Sequence, residues 1–151
     1  MTDLTKFKHK TTARVRSYPI DPQFVVHNAW YLFFLEDGRM EYFRSLGVSV
    51  EREAFTTKTK IQVVQNTITY KNPAHFDEVL EIYTRIAFVK NSSIGIEQVI
   101  LERESKRLIA EATGIIVHLH PETNVPTRVS DEIRQRIMEF DGGDVEFQNG
   151  K

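Results

Sequence analysis

The sequence predicts an α+β fold in which one long helix packs on an antiparallel sheet of about five strands, and three observations predict it. Apolar side chains recur at helical spacing over a single long segment, Trp30 to Leu46. Four later segments are rich in β-branched and aromatic residues. The connections between the last three of these, "NSS" at Asn91 and "ESK" at Glu104, are short enough for antiparallel neighbours in one meandering sheet. A long helix must bury its wide apolar face, and that sheet is the only surface large enough.

In chain order, Phe7 to Ser17 shows loose alternation that includes Val15 and reads as a first strand, stopped by Pro19 and Pro22 because proline cannot donate to a ladder. The segment Asn28 to Leu46 reads as the long helix. Tyr31, Phe34, Leu35, Tyr42 and Leu46 form its apolar face, Asn28 is the expected N-cap, and Gly47 sits where a C-terminal cap belongs. After a charged connection come strands at Lys58 to Tyr70, Val79 to Lys90, Ser93 to Arg103 and Leu108 to His120. A second, short helix over Asp131 to Phe140 places Ile133, Ile137 and Phe140 on one face. The remainder, "DGGDVEFQNGK", has two glycines and little core material, so a frayed polar tail over 141–151 is expected behind a single domain over 1–140.

Composition narrows the function. A chain of 151 residues with 40% hydrophobic content suits one domain with a sizeable core. The balance of 20 basic and 21 acidic residues gives no overall electrostatic reason to expect a nucleic-acid or membrane-surface partner, so any anion site must be local. The absence of cysteine excludes disulfides, thiolate metal sites and cysteine nucleophiles. The start "MTDLTKFKHKTTARVR" has no apolar run of the signal-peptide kind, and no segment approaches the ~20 apolar residues of a membrane span, so a cytoplasmic protein is expected.

The chemistry-bearing segment is "YPIDPQFVVHNAWY", where a lone carboxylate, Asp21, and a His27-Asn28 pair stand just before the helix. Free amides at a helix start point outward and carry the positive end of the helix dipole, so they can hold an oxygen that becomes negative. A carboxylate beside them can attack a carbonyl or activate water. His27 is a candidate base or donor. The competing reading of Asp21 is a turn opener, which Asp-Pro pairs often are, and that of His27 is a polar group at a helix entrance. His118 and His120 share one strand face, but no third metal ligand lies nearby in sequence.

Nearly the whole chain resembles the hotdog-fold acyl-CoA thioesterases of the 4-hydroxybenzoyl-CoA thioesterase-like family. Asp21, Asn28 and Tyr31 fall in register with the family's opening motif, and "YKNPAHFDEVLEI" is similar to its join between second and third strands. "TRVSDEIRQRI" after "PETNVP" is similar to the closing segment. The family's usual glycine after the Asp is Phe24 here, and the next position, often His, is Val25. The resemblance implies a long helix wrapped by a curved antiparallel sheet. It implies an Asp21 carboxylate acting as nucleophile or general base, and an Asn28 amide polarising the carbonyl. The substrate implied is an acyl-CoA or acyl-carrier thioester, with coenzyme A part of the substrate and no other cofactor. Lys90, and less directly Arg128, match positions where basic groups meet the nucleotide end of coenzyme A. A homodimer or homotetramer with sites built from two chains is implied as well. Rival readings are a non-catalytic hotdog binder, which Phe24 favours, a hotdog dehydratase, and a cone-shaped ligand-binding α+β domain.

Overall fold

The computed structural model describes residues 2–57 and 60–148. The elements are β1 (His9–Arg14), α1 (Tyr31–Ser45), α2 (Arg52–Thr57), β2 (Lys60–Tyr70), β3 (Val79–Val89), β4 (Ser93–Glu102), β5 (Leu108–Leu119), α3 (Asp131–Asp141) and β6 (Glu146–Phe147). The strands form one sheet in the order β1-β3-β4-β5-β2 with antiparallel neighbours, and β6 adds to β3 in parallel. This is the hotdog fold, with α1 lying along the sheet. None of the described helices is long and apolar enough to cross a membrane.

The apolar period of α1 explains its seat. Its first half sends Tyr31, Phe34 and Leu35 onto Leu80, Ile82, Ile100 and Ile109. Its second half sends Tyr42, Phe43 and Leu46 onto Ile86, Ile94, Ile96 and Ile116, with Ile133 and Ile137 of α3 closing that end. Between the halves, a Cβ on Gly38 would come within 2.6 Å of both the Gln98 amide nitrogen and Ile82, so the glycine permits the closest approach of helix and sheet. Gln98 donates from there to the Leu35 carbonyl at 2.9 Å and to Thr84 Oγ1 at 3.0 Å. Register shifts at Val63/Gln65, Ile86/Phe88 and Ile100/Leu101 bend the strands.

The expected meander holds for β3, β4 and β5 but not for β2, which pairs with β5 at the far edge. The segment from Lys71 to Glu78 is longer than a hairpin loop and carries Pro73, so it crosses the sheet end instead of turning β2 back onto β3. The first strand is shorter than Phe7 to Ser17, because Phe7 follows a 3-10 turn at Leu4–Lys6 and packs on Val99 and Leu101. The charged connection contains α2, which its composition did not signal; Lys58 and Thr59 of the expected second strand lie outside the described residues.

The C-terminal segment corrects a second expectation. Residues 141–148 dock instead of fraying, while 149–151 lie outside the described residues. The reason is Asp141, which is 2% exposed. Its Oδ2 accepts from the Tyr42 hydroxyl at 2.6 Å and from the Ile86 amide at 2.9 Å, a donor freed by the β3 bulge. Burial and the Asp141 charge push the Tyr42 phenol upward, so it remains a donor. Asp141→Ala leaves both donors buried and unpaired, and is expected to cost roughly 3 kcal/mol in denaturant unfolding at neutral pH. A loss under about 1 kcal/mol would show that water replaces the carboxylate.

Candidate active site

A small hairpin presents Asp21. Ile20 bridges Val26, Asp21 N–H donates to the Val25 carbonyl at 2.9 Å, and Phe24 N–H donates to the Asp21 carbonyl at 2.9 Å. Pro22 suits the second position of such a turn, and Asp21 Oδ1 accepts from Gln23 N–H at 2.8 Å. Both readings of Asp21 are therefore compatible. One carboxylate oxygen holds the turn, and Oδ2 makes no hydrogen bond among the described residues.

Phe24 occupies the bulge position at φ +64°, in the left-handed region that favours glycine, and its side chain is 81% exposed. The backbone shape that a glycine would supply is thus kept, at a cost of about 1 kcal/mol. Phe24→Gly is expected to raise unfolding stability by roughly 0.5 kcal/mol, the strain relief less the added freedom of the unfolded chain. Thioester turnover should stay equal or rise. A less stable variant would contradict the strain assignment.

The helix start differs from expectation in its cap. A 3-10 turn at Asn28–Trp30 precedes α1, and its cap is His27, whose Nδ1 accepts from Ala29 N–H at 3.1 Å. His27 has extended backbone while Asn28 is already inside the turn, so Asn28 cannot be the cap. With Nδ1 accepting, the neutral ring carries its proton on Nε2 and can donate from it. The Asn28 amide makes no hydrogen bond among the described residues, and its carbonyl accepts from the Tyr70 hydroxyl at 2.9 Å. Tyr70 stands edge-on to Tyr31 with ring centroids 5.4 Å apart, and Tyr31 Oη accepts from Ala74 N–H at 3.2 Å. Tyr70 was not among the site residues expected from sequence. Its signal was a polar aromatic closing a strand within the family motif.

Lys90 and Arg128 lie elsewhere. Lys90 closes the β3–β4 turn with its ammonium 5.0 Å from the Phe88 ring centroid, and Arg128 is paired with Asp131 at 2.8 Å. Arg134 ties the two loops by donating to the Lys90 carbonyl at 2.6 Å and the Val129 carbonyl at 3.0 Å. They share the sheet end that carries Lys60 and Leu119, whereas Asn28 is bonded to Tyr70 at the other end of β2. Ten residues of strand span about 33 Å. A single chain therefore carries Asp21, His27 and Asn28 at the Tyr70 end and Lys90 and Arg128 at the far end. His118 and His120 part as well. His118 is buried, and burial with the Arg134 charge lowers its imidazole to about 4, while the His120 ring accepts from Glu122 and Thr123 amides at 3.3 Å. The described residues contain no group of three or more His, Asp or Glu placed to hold a metal.

A family model described as the thioesterase-like superfamily matches residues 15–137. The chain belongs to the thioesterase-like superfamily. Among the relatives of this superfamily member is the long-chain acyl-CoA thioesterase FadM of Escherichia coli, 28% identical over 87% of this chain and 98% of that protein. Another is the chloroplastic acyl-acyl carrier protein thioesterase ATL3 of Arabidopsis thaliana, 26% identical over 87% of this chain and 68% of that protein. In fold, the superfamily member is similar to Slr0204, a 1,4-dihydroxy-2-naphthoyl-CoA thioesterase from Synechocystis. The TM-score is 0.80 at 17% identity, covering 87% of this chain and 96% of that one.

Proposed function

We propose that the protein is a thioester hydrolase that cleaves acyl-coenzyme A or acyl-carrier thioesters at a centre formed by Asp21 and the Asn28 amide, completed by a second copy of the chain. The observation that carries this reading is an unengaged carboxylate oxygen on a short hairpin followed, seven residues on, by an unengaged backbone amide in the turn that opens the helix. The named relatives agree with the thioester, FadM with coenzyme A as the thiol half and ATL3 with a carrier protein.

In this reading the thioester carbonyl oxygen accepts from Asn28 N–H, with His27 Nε2–H as a second donor beside it. Asp21 takes a proton from a water as that water attacks the carbonyl carbon, or attacks the carbon itself to form an anhydride that water then opens. In the first route the tetrahedral intermediate collapses with cleavage of the carbon–sulfur bond and the sulfur takes the proton held by Asp21. In the second that cleavage forms the anhydride, the thiolate takes a proton from solvent, and water opening the anhydride restores the Asp21 carboxylate, so both routes yield the thiol and the carboxylic acid. Tyr70 orients the Asn28 peptide without touching the reacting atoms. In support of the hydrolase reading, Phe24 takes the left-handed backbone that a glycine would adopt there, and its side chain is exposed. A cysteine-free chain suits the reducing cytoplasm.

The second copy is called for by β2. This edge strand of 11 residues is exposed through its middle, with Val63 41% and Val64 57% exposed. A long edge strand with exposed valines at its middle is a template for pairing. A two-fold axis near Gln65 would pair two β2 strands antiparallel and set the Tyr70 end of each beside the Lys60 end of the other. Lys90 and Arg128 of one copy then flank Asp21 of its neighbour, where a coenzyme A phosphate would meet them.

The test is release of free thiol from a panel of acyl-CoA thioesters by the purified protein. Turnover on at least one thioester is expected. Binding without thiol release across the panel would favour a non-catalytic hotdog protein, and loss of water from hydroxyacyl thioesters would favour a dehydratase.

A further inference from the structure

A cleft of about 570 Å³ opens at the end of the molecule opposite Asp21, between the last turn of α1, the segment after it, β2 and α3. Its wall carries the apolar side chains Met40, Phe43, Val48, Ile61 and Ile133 beside three glutamates, Glu51, Glu53 and Glu132, and its one imidazole is His118. The volume is in the range of ligand-sized clefts, ~300–1,000 Å³. His118 is 4% exposed, and its ring makes no hydrogen bond among the described residues, Nε2 being wholly buried. A buried polar group left unpaired costs about 1–3 kcal/mol, so the ring calls for a partner beyond the described residues. Burial also keeps this imidazole neutral near pH 7, with one donor and one acceptor nitrogen. That matches a hydroxyl, which can both donate and accept. It does not suit a carboxylate, which would also meet Glu51, Glu53 and Glu132 at the cleft.

The antiparallel β2 pairing described above puts this cleft, at the Ile61 end of one copy, beside the Tyr70 and Asn28 end of its neighbour. We propose that the cleft receives the acyl group of a thioester held at the neighbouring copy's Asp21 centre, and that His118 selects acyl groups bearing a hydroxyl at their far end. The inference rests on the hydrolase reading and names the substrate class of that same centre.

The test compares ω-hydroxyacyl-CoA thioesters with their unsubstituted counterparts over a series of chain lengths, both for kcat/KM and for binding to the Asp21→Asn protein by calorimetry. The wild type should prefer the hydroxylated member about tenfold at the length that reaches His118, and His118→Leu should reverse that preference. A series of ω-carboxyacyl thioesters should be disfavoured throughout. Val48→Trp, which fills much of the cleft, should lower the long-chain to short-chain ratio of kcat/KM about tenfold. Equal kcat/KM and affinity for hydroxylated and unsubstituted chains at every length would overturn the proposal, as would a preference that His118→Leu leaves unchanged. The binding arm separates this failure from failure of the hydrolase reading. A hydroxyl preference seen in affinity with no thiol release by the wild type would retain the cleft and sink the catalysis.

Discussion

Asp21→Asn is expected to lower kcat for acyl-CoA hydrolysis about a hundredfold or more, the scale for losing a positioned base or nucleophile. Folding should be unaffected. Asp21 uses Oδ1 to accept from the Gln23 amide, and the side-chain oxygen of asparagine can accept the same bond in the same turn. What disappears is the charge on the oxygen that no group in the hairpin engages. The loss should appear in kcat and hardly in KM, as for an interaction made chiefly in the transition state. The measurement is steady-state thiol release, with thermal unfolding as the control for structure. Wild-type turnover in the variant would move the carboxylate role away from Asp21.

Val64→Asp is expected to produce a monomer with kcat/KM reduced about a hundredfold. Val64 is 57% exposed near the middle of β2, next to the register shift at Val63/Gln65. A two-fold axis there brings the introduced charge close to its own copy, and like charges facing each other across paired strands are destabilising. The substitution touches no core residue of α1, so the isolated chain should stay folded. Its Asp21 centre would then lack the partner's basic end and cleft. Light scattering and thiol release on one sample check both parts. A monomer of full activity would show that one chain suffices.

Much of this architecture was legible because it rests on local periodicity. Tyr31, Phe34, Leu35, Tyr42 and Leu46 declare the helix, and the alternation of β3 to β5 with their short turns declares the meander. The placement of β2 was not legible, since pairing with β5 depends on closure across some forty residues of chain rather than on anything within the strand. Nor was the docking of the C-terminal segment. Asp141 reads as a solvated charge until Tyr42 and the Ile86 amide are seen to hold it. At the site, local pattern pointed to Asn28 as the cap, whereas backbone geometry assigns it to His27. Asp21 itself reads equally as an ordinary Asp-Pro turn by local pattern, and the resemblance is what tips it toward catalysis. The φ of +64° at Phe24 has no sequence signature except that family members carry glycine there.

If each active centre joins Asp21 of one chain to the basic end of its partner, mixed dimers made by co-expressing an Asp21→Asn chain with a chain carrying Lys90→Glu and Arg128→Glu will show it. Each parent homodimer should be poorly active, the first for want of the carboxylate and the second for want of phosphate contacts. In the mixed dimer one centre pairs an intact Asp21 with an intact basic end, so kcat/KM for acyl-CoA should recover to about half the wild-type value. Activity no higher than the mean of the two parent homodimers would contradict the shared centre.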